Sequence, residues 1–189
     1  MQISKVENLV EKLILIFLIL WGAASFFVFP TLVIFEWSFL LVSLIVVYLV
    51  IAKRAEYFVL IDIIFSLTYF FYGLGSAFGL PLWVVLIGLA IVTGTVFWFL
   101  ARKLIIINEN FSLVLTFFLL SILELYLALS FWLINPLTKS LIIGIFTYVF
   151  TGYLANISEK NQVGRSFLGY IYTAVFVLLL LVLTVSWGR

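Results

Sequence analysis

The sequence predicts an all-α integral membrane protein, a bundle of seven transmembrane helices. Of its 189 residues, 67% are hydrophobic and 10% are charged, whereas a soluble domain is about half apolar and about a quarter charged. The apolar residues form runs of about twenty, the length needed to cross the hydrocarbon of a bilayer. Because the runs lack the alternation of barrel strands, we expect helices, which satisfy their own backbone N–H groups.

Charged residues and turn formers delimit the first three runs. The first begins after Lys12 and ends before Pro30, which cannot continue a helix without loss of a hydrogen bond. The second lies between Pro30 and Lys53, and the third between Arg54 and Gly75. We therefore expect helices over residues 13–29, 31–52 and 57–75.

Proline and charged residues also delimit the other four runs. Pro81 and Pro136 stand at helix starts, where a missing N–H costs no hydrogen bond. The fourth run ends before Arg102, the fifth begins after Asn110, and the seventh follows Arg165. We expect these helices over residues 82–100, 111–133, 137–155 and 166–187. No linker divides the chain, so residues 1–189 are expected to form one domain.

The basic residues of the loops predict the orientation of the bundle. Of the ten Lys and Arg residues, all but Lys139 and Arg189 fall at one set of helix ends. That set comprises Lys5, Lys12, Lys53, Arg54, Arg102, Lys103, Lys160 and Arg165. Because cytoplasmic loops carry the excess of basic residues, we expect a cytoplasmic N-terminus and an external C-terminus, in the plasma (inner) membrane of a prokaryote.

Two absences from the composition limit the chemistry. The chain has no Cys and no His, so it lacks the thiolate nucleophile, the zinc–thiolate site and the usual general base of enzymes. Its basic residues are spread over separate loops and do not form the patch that binds nucleic acid. We therefore favour a non-enzymatic protein with no catalytic residues, cofactor, metal or nucleic-acid partner.

Three carboxylates lie within the predicted spans. An ionisable group at the bilayer centre costs at least ~2.5 kcal/mol and usually faces the bundle interior or water. At 1.5 Å per residue, Glu36 lies about 9 Å below the outer turn, Asp62 about 12 Å from the cytoplasmic end, and Glu124 roughly 18–20 Å from either end. These depths make the three carboxylates the leading candidates for a functional role.

Polar residues share helix faces with all three carboxylates. Asp62, Ser66 and Tyr69 follow the i, i+4, i+7 spacing of one face of the third helix. Ser121 and Glu124 share a face of the fifth helix, and Glu36 and Ser43 lie two turns apart on one face of the second. Since a polar stripe is costly against lipid, we expect these stripes to point at other helices.

Two functional interpretations remain open. In the first, Glu36, Asp62 and Glu124 line a polar route for transport of a small solute or ion. In the second, they are packing groups, with Glu36 paired to Lys139 and Glu124 protonated, in a non-catalytic subunit or scaffold that contacts the lipid bilayer and a membrane protein partner or its own copies. A lipid-modifying enzyme that uses Glu124 or Asp62 as acid or base is the weakest alternative.

Overall fold

A computed structural model describes residues 3–29, 33–52, 56–104, 111–158 and 165–184, and within these ranges the chain forms only α-helices, without strands. The helices are α1 (Ile3–Val28), α2 (Val33–Ala52), α3 (Glu56–Phe78), α4 (Leu82–Leu104), α5 (Phe111–Ser130), α6 (Pro136–Ser158) and α7 (Arg165–Thr184).

The helices lie where the seven apolar runs predicted them. Six of them, α1 to α6, are long and apolar enough to cross a membrane, whereas the described apolar stretch of α7 covers only Leu168–Leu180. The protein is therefore an integral membrane helical bundle. The seventh crossing stays a prediction, because the described apolar stretch of α7 is shorter than those of the other helices. The orientation also stays a prediction, because Lys53, Arg54 and Lys160 lie outside the described residues.

Several helix boundaries differ from the prediction. α3, α4 and α6 end at Phe78, Leu104 and Ser158, three or four residues beyond the predicted ends at residues 75, 100 and 155. α1 begins at Ile3 and not at residue 13. Charged residues such as Lys and Glu limit the apolar run, but they are good helix formers and do not interrupt the helix. α5 ends at Ser130 and not at residue 133. After it, the backbone N–H of Trp132 donates to the carbonyl of Leu129 at 3.1 Å and closes a turn, so the last apolar residues of this run belong to the connection.

α3 and α6 form the centre of the bundle. α3 packs against α1, α2, α4 and α6, and α6 also packs against α5 and α7. α3 is the most buried of the spanning helices. α2 packs on α1 and α3, whereas α7 packs on α6, so α2 flanks one member of the central pair and α7 flanks the other.

The connection between α5 and α6 is fixed by its own polar groups. The side-chain oxygen of Asn135 accepts a hydrogen bond from the backbone N–H of Thr138 at 2.7 Å, and Pro136 is the first residue of α6. The sequence predicted the proline at this helix start, and the structure adds Asn135 as its N-cap. Lys139 donates from Nζ to the carbonyl of Ser130 at 3.4 Å, where cations stabilise the end of a helix.

A large apolar face determines the rotation of α5 about its own axis. It buries Phe118, Ile122, Tyr126 and Leu129, which recur at helical spacing. Glu124 is two residues from Ile122, so at 3.6 residues per turn it points about 200° away from that buried face. Packing of this face therefore turns the Glu124 side chain outward.

Candidate functional site: a cleft beside Asp62

A cleft of about 430 Å³ lies between α2 and α7, with α3 and α6 behind it. It is open on one side. Its lining comprises Phe39, Val42, Val46, Phe58, Ile61, Asp62, Phe65, Leu141, Gly144, Ile145, Tyr148, Thr173, Ala174 and Val177. Apart from Asp62, these side chains are apolar, aromatic or hydroxyl-bearing, so a single acidic group faces an otherwise apolar space.

Asp62 is held in the cleft by the position of α3 at the bundle centre. Only 7% of its surface is exposed. Its Oδ2 atom is buried and has no hydrogen-bond partner among the described residues. Since buried polar atoms are nearly always hydrogen-bonded, the carboxyl of Asp62 is available to a group that the described residues do not supply.

A second unpartnered oxygen lies at the level of Asp62. α2 and α3 run antiparallel, and the rings of Phe39 and Phe65 meet with centroids 5.2 Å apart. Ser43 follows Phe39 by one helical turn, and Asp62 precedes Phe65 by about one turn, so both reach the same depth. The Oγ atom of Ser43 is also buried without a hydrogen-bond partner among the described residues.

Ser66 lies one turn along α3 from Asp62, where α3 packs against α1. It is buried, and its Oγ donates to the carbonyl of Ile63 at 3.1 Å. α1 approaches so closely here that a Cβ added to Gly22 would overlap Ser66. Ser66 therefore belongs to the helix contact between α1 and α3, and its hydroxyl is already used.

Tyr69 and Glu36 form a separate polar group two turns along α3 from Asp62. Tyr69 stacks on Phe26 with ring centroids 4.3 Å apart, and its hydroxyl donates to the carbonyl of Phe29 at 3.4 Å. Glu36 lies near enough to Tyr69 to interact with it electrostatically. It also occupies the first turn of α2, where the helix dipole stabilises a carboxylate.

Lys139 lies at the α5–α6 turn, away from the cleft lining. Besides its hydrogen bond to Ser130, its Nζ sits over the ring of Tyr72 at 5.3 Å from the centroid. Tyr72 in turn donates from its hydroxyl to the carbonyl of Tyr126 at 2.9 Å. Lys139 thus joins α3, α5 and α6 at one end, and its pairing with Glu36 stays a prediction.

The expectation that the Glu124 stripe points at another helix is wrong for the described chain. Glu124 is exposed and Ser121 is half-buried. The cause is the rotation of α5 that buries Ile122 and Tyr126. The structure therefore separates the three carboxylates: Asp62 faces the cleft, Glu36 lies beside Tyr69, and Glu124 lies on the outer face of α5.

Sequence reasoning missed most of the cleft. Phe39, Ile145 and Val177 line it from three different helices, and in one sequence nothing distinguishes them from residues that face lipid. The strongest signal was the carboxylate itself, because an intramembrane Asp implies polar surroundings or a ligand. The remaining lining follows from which helices pack together.

The composition of the cleft lining is typical of a small-molecule site, with few polar groups in an apolar cavity. Asp62 is the one acidic side chain in the described lining, whereas acid–base catalysis commonly pairs two groups with different protonation states. Among the described residues, no group of three or more His, Cys, Asp or Glu could hold a metal ion. Comparison of the chain with protein-family models, curated proteins and solved structures gave no match, so its function is inferred from the cleft and its residues alone.

Proposed function

We propose that this membrane protein binds a small solute in the cleft beside Asp62, as the binding step of transport through the helical bundle. The observation that carries the proposal is the buried Asp62 carboxyl, which has an unpartnered oxygen and lines an otherwise apolar cleft. A volume of about 430 Å³ falls within the range of about 300–1,000 Å³ typical of small-molecule sites. A few polar groups in an apolar cavity are the usual composition of such sites.

The location of the cleft also supports transport. Its lining comes from the middle of α2, α6 and α7 and from the first half of α3, at the depth where transporters bind their substrates. α7 packs on α6, so small movements of α7 relative to α2 would widen or narrow the cleft. The proposal includes seven crossings with a cytoplasmic N-terminus in a prokaryotic inner membrane.

Cysteine substitution tests whether the cleft connects with water, as transport requires. Ala174 lines the cleft and is small, and the natural chain has no Cys, so the thiol of Ala174→Cys is unique. We expect N-ethylmaleimide to modify this thiol in liposomes, because the reacting thiolate forms only where water enters. Mass spectrometry of the intact chain measures the reaction.

Ala128→Cys is the matched control for this experiment. Ala128 is exposed on the outer face of α5, where lipid surrounds it, so its thiol should react at least about tenfold more slowly. If Ala174→Cys reacts no faster than Ala128→Cys, the cleft has no water access and the transport proposal is wrong.

A second candidate function, a membrane subunit or scaffold, is favoured by the position of Glu124. Its side chain is exposed on α5, and a carboxyl at this depth is costly against lipid. Exposed Phe117, Leu120, Leu127 and Phe131 flank Glu124 at the alternating spacings of three and four residues that form a helix–helix seam. A second helix laid along this face would cover the carboxyl.

A second copy of the chain is the partner that we favour for this face. All copies insert with the same orientation, so a two-fold axis along the membrane normal brings Glu124 against Glu124 at equal depth. One protonated carboxyl can then donate to the other carboxylate. The face would therefore complete its own polar contact without a group from another protein.

Disulfide formation by Leu120→Cys tests this self-association. We expect oxidation in native membranes to give a covalent dimer, and Glu124→Leu in the same chain to reduce its yield. Ile91→Cys is the control, because Ile91 is similarly exposed but lies on α4. Equal dimer yields from Leu120→Cys and Ile91→Cys would show random collision and contradict the second candidate.

A further inference from the structure

We infer that the ligand of the cleft is an amphiphilic organic cation, with its charge beside Asp62 and its apolar body against the cleft walls. This inference rests on the proposed binding function of the cleft and names the chemical class of the solute.

The charge of the ligand follows from Asp62. Among the described residues that line the cleft, Asp62 alone has an acidic side chain, and none of them is Lys or Arg. Its Oδ2 atom is buried without a hydrogen-bond partner in the described part of the chain. A buried carboxylate is stabilised by a positive charge placed against it. The site therefore lacks the positive charge that a cationic ligand would bring.

The lining argues against a bare metal ion. Besides Asp62, side-chain oxygens reach the cleft only from Tyr148 and Thr173. The hydroxyl of Thr173 already donates to the carbonyl of Gly169 at 2.9 Å. Ca²⁺ needs about six to eight oxygen ligands, and Mg²⁺ keeps a strict octahedral shell. The cleft has too few oxygens to replace the hydration shell of such an ion.

Aromatic side chains suit the cleft to an organic cation. Four of them line it, namely Phe39, Phe58, Phe65 and Tyr148. A ligand cation over an aromatic face is attracted by the ring quadrupole, most strongly where water is excluded. The volume of about 430 Å³ also exceeds what a small ammonium ion fills, so an apolar body must occupy the rest.

The route of entry points to an amphiphile. Most lining residues lie at least five residues from the helix ends, whereas Phe58 is the third residue of α3, so the cleft borders the hydrocarbon over most of its length and approaches the water phase at the start of α3. A fully hydrated ion does not enter from the hydrocarbon, since leaving water is costly. A cation with a large apolar body partitions into the bilayer and reaches the opening laterally.

Protection of the Ala174→Cys thiol tests the inference. Two probes of similar size are compared in liposomes, the cation tetraphenylphosphonium and the neutral molecule triphenylphosphine oxide. We expect tetraphenylphosphonium to slow modification by N-ethylmaleimide and triphenylphosphine oxide to have little effect. This comparison uses one chain, so it does not depend on the folding of a further variant.

Variants of Asp62 and Glu124 show whether protection by tetraphenylphosphonium depends on the carboxyl of Asp62. Combined with Ala174→Cys, Asp62→Asn should raise the tetraphenylphosphonium concentration for half-protection by about tenfold or more, the effect of losing one contact to a charged group. Glu124→Gln removes the same charge outside the cleft and should leave protection unchanged.

The outcomes separate this inference from the proposed function. Equal protection by both probes would overturn the cationic class while supporting a binding cleft. A reactive thiol that neither probe protects would also overturn the cationic class. A thiol that does not react at all would contradict the proposed function itself.

Discussion

At the scale of single residues, Asp62 is the buried acidic side chain among several buried polar groups, of which Ser43 and Thr93 also have a side-chain oxygen without a hydrogen-bond partner among the described residues. Ser66, Thr68 and Thr147 each donate to a carbonyl of their own helix, which is how hydroxyls are accommodated in apolar surroundings. An ionised carboxylate has no hydrogen to donate, and its Oδ2 atom accepts no hydrogen bond from the described residues. The buried carboxyl of Asp62 therefore lowers the free energy of unfolding of the protein without ligand.

Replacing Asp62 by Leu should stabilise the empty protein. Leu is similar in size and removes an unpartnered polar group, whose burial costs about 1–3 kcal/mol. We expect the free energy of unfolding, measured by SDS titration in mixed micelles, to rise by about that amount. The same variant should lose binding of tetraphenylphosphonium.

Tyr69→Phe serves as the comparison for this measurement. It removes the hydrogen bond from Tyr69 to the carbonyl of Phe29 but keeps the stacked ring. The free energy of unfolding should therefore fall by about 0.5–1.5 kcal/mol. A large loss of stability in Asp62→Leu would show that Asp62 has a structural partner and would contradict its assignment to a ligand.

At the scale of helices, the contact of α1 with α3 depends on the absence of a side chain at Gly22. A Cβ there would overlap Ser66. Small residues let helix backbones approach in membranes, where dispersion contacts and not water exclusion hold helices together. The sequence pattern identified Ser66 as part of a packed face, but not Gly22 as its partner.

Gly22→Ala should therefore destabilise the bundle. Overpacking of this kind costs about 1–3 kcal/mol, measurable as a lower midpoint of thermal unfolding in detergent. Gly75→Ala is the control, because a Cβ at Gly75 meets no atom within 4 Å. A Ser66→Gly change in the Gly22→Ala protein should restore part of the loss, and equal effects of Gly22→Ala and Gly75→Ala would contradict the close contact.

At the scale of the whole molecule, the number of crossings decides where the C-terminus lies. Six helices are long and apolar enough to cross, and the described apolar stretch of α7 is shorter. An odd number of crossings places the two termini on opposite sides of the membrane, and an even number places them on the same side. α7 lines one side of the cleft. This side is surrounded by lipid only if α7 also crosses the membrane.

Reporter fusions measure this directly. If α7 spans and the positive-inside rule holds, alkaline phosphatase fused after Arg189 should be active and green fluorescent protein at the same site should be dark. Fusions at Lys160 should give the opposite result. Fluorescence at both sites would mean that α7 does not cross.

The sequence determined the membrane class, the helices and their approximate limits, because length and hydropathy act along the chain and need no partner. It also identified Asp62, since a carboxylate stands out in any apolar run. The cleft around Asp62 and the outward position of Glu124 were decided by tertiary structure. The physical reason is that lipid-facing and protein-facing surfaces are both apolar in a membrane, so hydropathy does not show which face of a helix is covered. On α5, packing of Phe118, Ile122 and Tyr126 made that choice.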